Sequence, residues 1–387
     1  MADGSFDVLV IGAGIAGASV AAELARDRRV GVIEREGQPG YHSTGRSAAL
    51  FSETYGNSVV RALSRASRAF LFMPPAGFAD YALVRRRGTL HIARKDQLPL
   101  LNEFLELPDV SVHARGIDAA EVLKLCPLLR SDYASAGVHE PLASDVDVHA
   151  LHQGYLRMAR AAGGSFIMDA AVTRLDRKRG LWIAKTTAGD FEAPVVVNAA
   201  GAWADQLADL AGVAPLGIIP HRRTAVLVDP PPDLNIENLP NTIDIEELFY
   251  FKPDAGQLFL SPADETPSVP CDAQPDEIDV AIAIDRVQTA TTLNVTRVRK
   301  KWAGLRSFAP DRSPVIGYDP DGEGFFWLAG QGGYGIQTAP AASRLAASLI
   351  RETGVPGELA VFDVGADAVS PHRFQKPLPL RRQTMAG

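Results

Sequence analysis

The sequence predicts an α/β fold of two domains, and three observations predict it. The first is the opening run FDVLVIGAGIAGASVAAELARDRRVGVIERE: a Val/Ile-rich segment, then Gly12, Gly14 and Gly17, then an Ala-rich stretch, then VGVIE closing at Glu34. The second is a middle of strand-like runs separated by Pro, Asp and Gly turns. The third is FFWLAGQGGYGIQTAPAASRLAASLI from Phe325, which repeats the order strand, Gly-rich loop, helix. Together they give a Rossmann-like domain of interleaved segments, 1–80, 145–217 and 303–372. A second, α+β domain built on a mixed sheet takes 81–144 and 218–302, and 373–387 is left as a tail poor in periodicity.

In the first run the glycines have GxGxxG spacing between a strand and a helix, the grammar of a dinucleotide-binding βαβ unit. Gly12 permits the tight turn, Gly14 lets the backbone approach a pyrophosphate, and Gly17 allows close helix–strand packing. Ile15 and Ala16 open a helix whose N–H groups face the anion. Glu34 lies 20 residues past Gly14, where a carboxylate accepts hydrogen bonds from a ribose and disfavours a 2′-phosphate. The next segment, GQPGYHSTGRSAALFSETYG, is a loop dense in Gly and Ser that runs into a helix over 58–72, and PPAG at 74–77 breaks that helix. ALVRRRGTLHIA, 82–93, reads as strand in the second domain. A helix starts near His149, and FIMDAAVTRLDR, LWIAKTTAG and VVVNAAGAW read as strands returning to the first domain. From Ile218, RRTAVLV, ELFYFKP and GQLFLSP read as a second sheet, and DEIDVAIAIDRVQTATTL as a helix.

Bulk properties narrow the function. A formal net charge of −7 over 387 residues, with arginines scattered, gives no footprint for nucleic acid. Cys126 and Cys271 have no neighbour at metal-ligand or disulfide spacing, so the expectation is two reduced thiols, no metal site and a cytoplasmic protein. The apolar stretch Val8–Ala22 follows Asp3 and Asp7 rather than a basic region, which argues against a signal segment, and no other stretch has the length to span a bilayer. Two nucleotide-facing ends joined through an interrupted middle favour FAD over NAD, because a long extended cofactor can be met from both ends of a chain. The helix starting near Tyr334 then aims its positive end at the isoalloxazine.

The segments GAGIAGAS, YHSTGRSAA, LHQGYLR, VNAAGAW, WAGLRSF and QGGYGIQT, in that order over 6–373, resemble the D-amino acid oxidase family of flavoproteins, in particular its bacterial D-arginine dehydrogenase branch. The resemblance implies an FAD domain capped by the sheet of a substrate domain. It implies flavin contacts from the first glycine turn, from Glu34 and Arg35, and from the loop of His42, Ser43, Thr44, Gly45, Arg46, Ser47, Ala48 and Ala49. Val172 is implied at the adenine, followed by Ala200, Gly201 and Trp203, and by Gly332, Gly333, Tyr334, Gly335, Ile336, Gln337 and Thr338. Tyr55, Arg223, Tyr250 and Arg306 match the family's catalytic and substrate-binding residues. Their chemistry agrees: an amino-acid carboxylate needs a planar bidentate partner, which Arg306 first and Arg223 second supply, with phenolic donors beside it.

The activity so implied is oxidative deamination of a D-amino acid. Hydride passes from Cα to flavin N5, giving an imino acid and then a 2-oxo acid and ammonia, with no protein base required and His42 read as a structural residue. The electron acceptor, oxygen or a quinone, stays open. Where the arginine branch carries a glutamate facing the substrate guanidinium this chain has Thr89, and Leu50 and Ser52 replace a histidine and a threonine. Losing a charge-assisted hydrogen bond of about 1.5–3 kcal/mol removes the arginine preference, so neutral or apolar side chains are expected. Glu53 is an acid beside this loop whose direction the sequence leaves open. Alternatives are an N-methylated or cyclic secondary amino acid as substrate, or a flavin-binding subunit without turnover.

Overall fold

A computed structural model of the chain describes residues 4–375. The Val/Ile-rich runs form the centre of a six-stranded sheet in the order Val315–Tyr318, Phe325–Ala329, Val195–Asn198, Val8–Ile11, Val30–Ile33, Ser165–Ile167. All neighbours are parallel except the first pair. Strands with apolar residues at consecutive positions need cover on both faces. Val8, Val10, Val30 and Val32 pack under the helices Ile15–Leu24, Val148–Ala161 and Gly335–Ile350. Leu9, Ile11 and Ile33 face a three-stranded antiparallel sheet over 172–193 and the helix Ala204–Ala211. The helix Ser58–Phe72 forms as expected: Asn57 caps it by accepting from the Val60 N–H at 3.0 Å, and Val60, Leu63 and Phe70 bury one stripe.

The second sheet has ten strands and is mixed. Its spine runs from Val298–Phe308 through Ile219–Val228, Gln257–Ser261, Tyr250–Asp254 and Asn241–Asp244 to Thr89–Ala93 and Ala136–Glu140. Only the pairing of Asn241–Asp244 with Thr89–Ala93 is parallel along this spine. Alternation divides its residues. Leu90, Ile92, Val226, Phe251, Leu258 and Leu260 form a core closed by Val280, Ala283 and Val287 of the helix Glu277–Ala290. The intervening residues, Thr89, Tyr250, Arg223 and Arg306 among them, face a cavity against the first domain.

Four expectations need correction in detail. The run 82–93 is two strands, Val84–Arg86 and Thr89–Ala93, because Gly88 turns the chain at φ +79°. Of the strands expected to return to the first sheet, only Ser165–Ile167 and Val195–Asn198 do so. Arg179 and Gly180, both at positive φ, fold the residues between into a hairpin on its face. The proposed boundary at 303 falls within one continuous strand, Val298–Phe308, of the second sheet. Residues 370–375 belong to the folded body, since Arg373 donates to Asp311 at 2.7 Å and to the Ser313 carbonyl at 2.9 Å. The remainder of the expected tail, 376–387, lies outside the described residues. Cys126 and Cys271 are free thiols. Among the described residues no group of metal-ligating side chains is present, and no helix is long and apolar enough to cross a membrane.

Candidate active site

Two cavities, of about 290 and 230 Å³, meet at Gly14, Ser43, Thr44, Ala199 and Gly201 and form one channel between the sheets. The first begins at the glycine turn. Gly12 has φ +106°, and a Cβ there would lie 2.5 Å from the Ala199 carbonyl oxygen. A Cβ on Gly17 would lie 1.8 Å from the Gly12 oxygen, so that glycine brings the helix onto the strand. Gly14 caps the helix without a side chain, and Thr44 accepts from the Ile15 N–H at 3.0 Å, which ties the 43–49 loop to the helix N-terminus. Glu34 is buried and accepts from the Ala13 N–H at 2.7 Å and the Glu36 N–H at 3.0 Å. No cation among the described residues pairs with it. His42 holds Glu36 at 2.9 Å through Nε2 and packs against Trp203, and its buried Nδ1 has no partner.

The second cavity lies between the 43–55 segment and the large sheet. Ser43 donates to the Leu305 carbonyl at 2.7 Å, Arg46 donates to the Ala273 and Ala303 carbonyls, and Trp302 Nε1 donates back to the Arg46 carbonyl at 3.0 Å. These bonds stitch the loop to the strand that carries Arg306. The Arg306 guanidinium donates to the hydroxyls of Tyr55 at 3.2 Å and Tyr250 at 3.5 Å, lies against Gly333, and has no carboxylate partner among the described residues. Burial raises the Tyr250 phenol, but the guanidinium groups of Arg306 and Arg223 outweigh it and hold its pKa below the ordinary tyrosine value. Arg223 also lines the cavity, yet it is engaged: it donates to the Asp264 carbonyl at 2.8 Å and to Glu265 at 3.1 Å, a carboxylate that Arg312 also binds. Among the described residues, Arg306 is the cavity-lining cation without a carboxylate partner, which leaves it for an anionic ligand.

A family model described as "DAO: FAD dependent oxidoreductase" matches residues 7–349. The chain belongs to this family. Glycine oxidase of Geobacillus kaustophilus is 26% identical over 373 residues, 93% of this chain and 96% of that protein. Hydrogen cyanide synthase subunit HcnC of Pseudomonas aeruginosa is 24% identical over 405 residues, covering 92% and 95%. Among solved structures, L-proline dehydrogenase from P. horikoshii superposes with a TM-score of 0.79 at 22% identity, over 95% of this chain and 97% of that one. That similarity fixes the fold.

The cofactor of this DAO-family chain is FAD, and the channel suits it. Gly12, Glu34, Arg35, His42, Val172, Ala200 and Trp203 line its first half. Ile15, Ala16, Arg46, Ser47, Ala48, Ala49, Gly332, Gly333, Gly335 and Ile336 line the second. Gly14, Ser43, Thr44 and Gly201 line both. An unpartnered imidazole nitrogen and a buried carboxylate in the first half are what ribose hydroxyls and an exocyclic amine require. Gly17, Gly45, Tyr334, Gln337 and Thr338 do not line the channel. Gly45 closes the loop on Gly40, and Gln337 binds the Ser52 N–H and Ser64 hydroxyl. Thr338 donates to the Tyr334 carbonyl, and Tyr334 packs edge-on against Tyr55. Their roles are to shape the loop and seat the last helix. Acid precipitation is expected to release the flavin into the supernatant, because neither free thiol lines the channel. Yellow colour retained in the pellet would show a covalent bond and refute this.

Leu50, Ser52 and Thr89 line the far end, and so do His91, Asn241 and Lys252, which sequence reasoning did not single out. The alternation rule would have found two of them: once Tyr250 faces the site, Lys252 does too, and His91 follows Thr89. Burial lowers the His91 pKa to about 4, so the ring is neutral. Glu53 turns away, toward Arg68 at 3.6 Å and His113 at 3.5 Å. The expected apolar pocket is therefore corrected to one with a polar wall.

Proposed function

We propose that this protein oxidises a D-amino acid with a neutral rather than cationic side chain at its α-carbon. The observation that carries the reading is Arg306: a cation at the junction of the two sheets, flanked by two phenols and with no carboxylate at ion-pair distance among the described residues, asks for a carboxylate. The D configuration rests on the resemblance of Tyr55, Arg223, Tyr250 and Arg306 to that family's substrate residues. Arg306 would grip the carboxylate with two N–H groups, and the hydroxyls of Tyr55 and Tyr250 would fix its orientation. Arg223, paired with Glu265, would hold the Tyr250 ring, over which its guanidinium lies at 5.9 Å. Catalysis on this reading is mainly positioning: the clamp sets Cα toward the Gly332–Gly333 end of the cavity. FAD, when bound, supplies the two-electron acceptor. The substrate loses the Cα hydrogen and an N–H proton, and water converts the resulting imino acid to a 2-oxo acid and ammonia.

Anaerobic bleaching of the flavin by D- and L-amino acids, with sarcosine and D-proline as the secondary-amine comparison, tests this. D-enantiomers should reduce the flavin, and a response confined to L-enantiomers or to secondary amines would replace the reading. Within the D series, kcat/KM for D-methionine should exceed that for D-arginine at least tenfold. Lys252 and Arg306 already place positive charge in the pocket, and a further unpaired buried cation is costly. A ratio below one would show that an acid has taken the place of the missing glutamate.

A further inference from the structure

Lys252, Asn241 and Thr89 form a row across three neighbouring strands on the cavity face. Asn241 is the register partner of Thr89, and Thr242 and Ile243 pair with Phe251 and Tyr250, which sets Asn241 beside Lys252. Neighbouring strands lie about 4.8 Å apart, so one small group can touch all three side chains. The row sits two residues, about 7 Å, along the strand from Tyr250, whose hydroxyl meets Arg306.

Thr89 is 1% exposed, and its hydroxyl has no hydrogen-bond partner among the described residues. The nearby carboxylate of Glu140, its cross-strand neighbour, does not supply one. It is taken up by the Ser52 hydroxyl at 2.7 Å, the Glu53 N–H at 2.7 Å and the Thr54 hydroxyl at 2.8 Å. Lys252 donates to Asp145 at 2.7 Å, and the other oxygen of Asp145 is bound by Arg87, so two cations share one carboxylate. A buried hydroxyl on a cavity wall, beside a carboxamide and an ammonium that shares its one carboxylate with Arg87, lacks an acceptor.

We infer that the substrate side chain ends in a hydrogen-bond-accepting oxygen, the group shared by a carboxamide and a carboxylate, and that Thr89, Asn241 and Lys252 receive it. This rests on the amino-acid reading above, with the α-carboxylate on Arg306 and the distal oxygen on the row; a carboxamide keeps the neutral side chain of that reading, and a carboxylate replaces it with an anionic one.

The test compares D-glutamine and D-glutamate with D-methionine and D-leucine as anaerobic reductants of the flavin in the holoenzyme. At least one of the first pair should exceed D-methionine in kcat/KM by tenfold or more. Thr89→Val, which keeps the shape and removes the hydroxyl, should bring that ratio toward unity at normal FAD content. Lys252→Met should hurt D-glutamate more than D-glutamine, because only the carboxylate gains a charge-assisted bond from the ammonium, and the larger wild-type kcat/KM of the two tells which group is the natural one. Binding gives a second readout: glutarate should perturb the bound-flavin spectrum at concentrations tenfold lower than pentanoate. Reduction by D-methionine or D-leucine with no advantage for the oxygen-bearing pair, or a ratio that Thr89→Val leaves in place, overturns the inference and spares the wider reading. Reduction by none of the four overturns both.

Discussion

Replacing Arg306 with methionine should lower kcat/KM by about three orders of magnitude while FAD stays bound. Methionine keeps the stem that fills the space under Gly333 and deletes the charge. Removing one side of a desolvated charge pair costs about 3–5 kcal/mol, and each 1.36 kcal/mol is tenfold in rate. The loss should be shared between KM and kcat, because the carboxylate both binds the substrate and orients Cα. The flavin absorbance per chain is the control, since Arg306 meets the Gly332–Gly333 loop only at its edge. Flavin reduced at the normal rate and affinity in the variant would show that the carboxylate sits elsewhere.

Gly12→Ala should yield protein with little or no FAD. The new methyl would sit 2.5 Å from the Ala199 carbonyl, at a φ of +106° that side chains rarely adopt. Neither backbone can retreat. The Gly12 N–H is bonded to the Ile33 carbonyl at 2.8 Å, and the Ala199 N–H to the Ile11 carbonyl at 3.0 Å, so both strand ends are held by the parallel sheet. Gly77→Ala separates strain from collision: it too has positive φ, +76°, but among the described residues nothing lies within 4 Å of where its Cβ would be. That control should cost about 1 kcal/mol and keep its flavin. Equal FAD content in the two purified variants would show that the turn tolerates the methyl.

What the sequence disclosed, and what it hid, divides along physical lines. The glycine turn, Glu34, the helix over 58–72 and the last strand–loop–helix were legible because each depends on local spacing: a φ only glycine adopts, a cap, a 3.6-residue stripe. The polar wall was not. Thr89, Asn241 and Lys252 are distant in the chain and meet only through strand pairing, one of those pairings parallel, which no local pattern announces. The pairing of Arg223 was hidden for the same reason: Glu265 lies on the connection after the strand Gln257–Ser261 and reaches it only once the sheet has formed. Glu53 shows the converse, since its place beside the loop said nothing about its direction until Arg68 and His113 were positioned.

Ser307, next to Arg306, pairs with Gly332, and Phe308 with Gln331. The segment proposed to meet the flavin and the strand proposed to grip the substrate are therefore rungs of a single ladder. On the proposed reading, donor and acceptor of the electrons would be spaced by backbone hydrogen bonds inside one stiff unit, and no hinge would have to swing shut to bring them within reach. The chemical step should then be indifferent to solvent viscosity, leaving any such dependence to the entry of substrate and the departure of product.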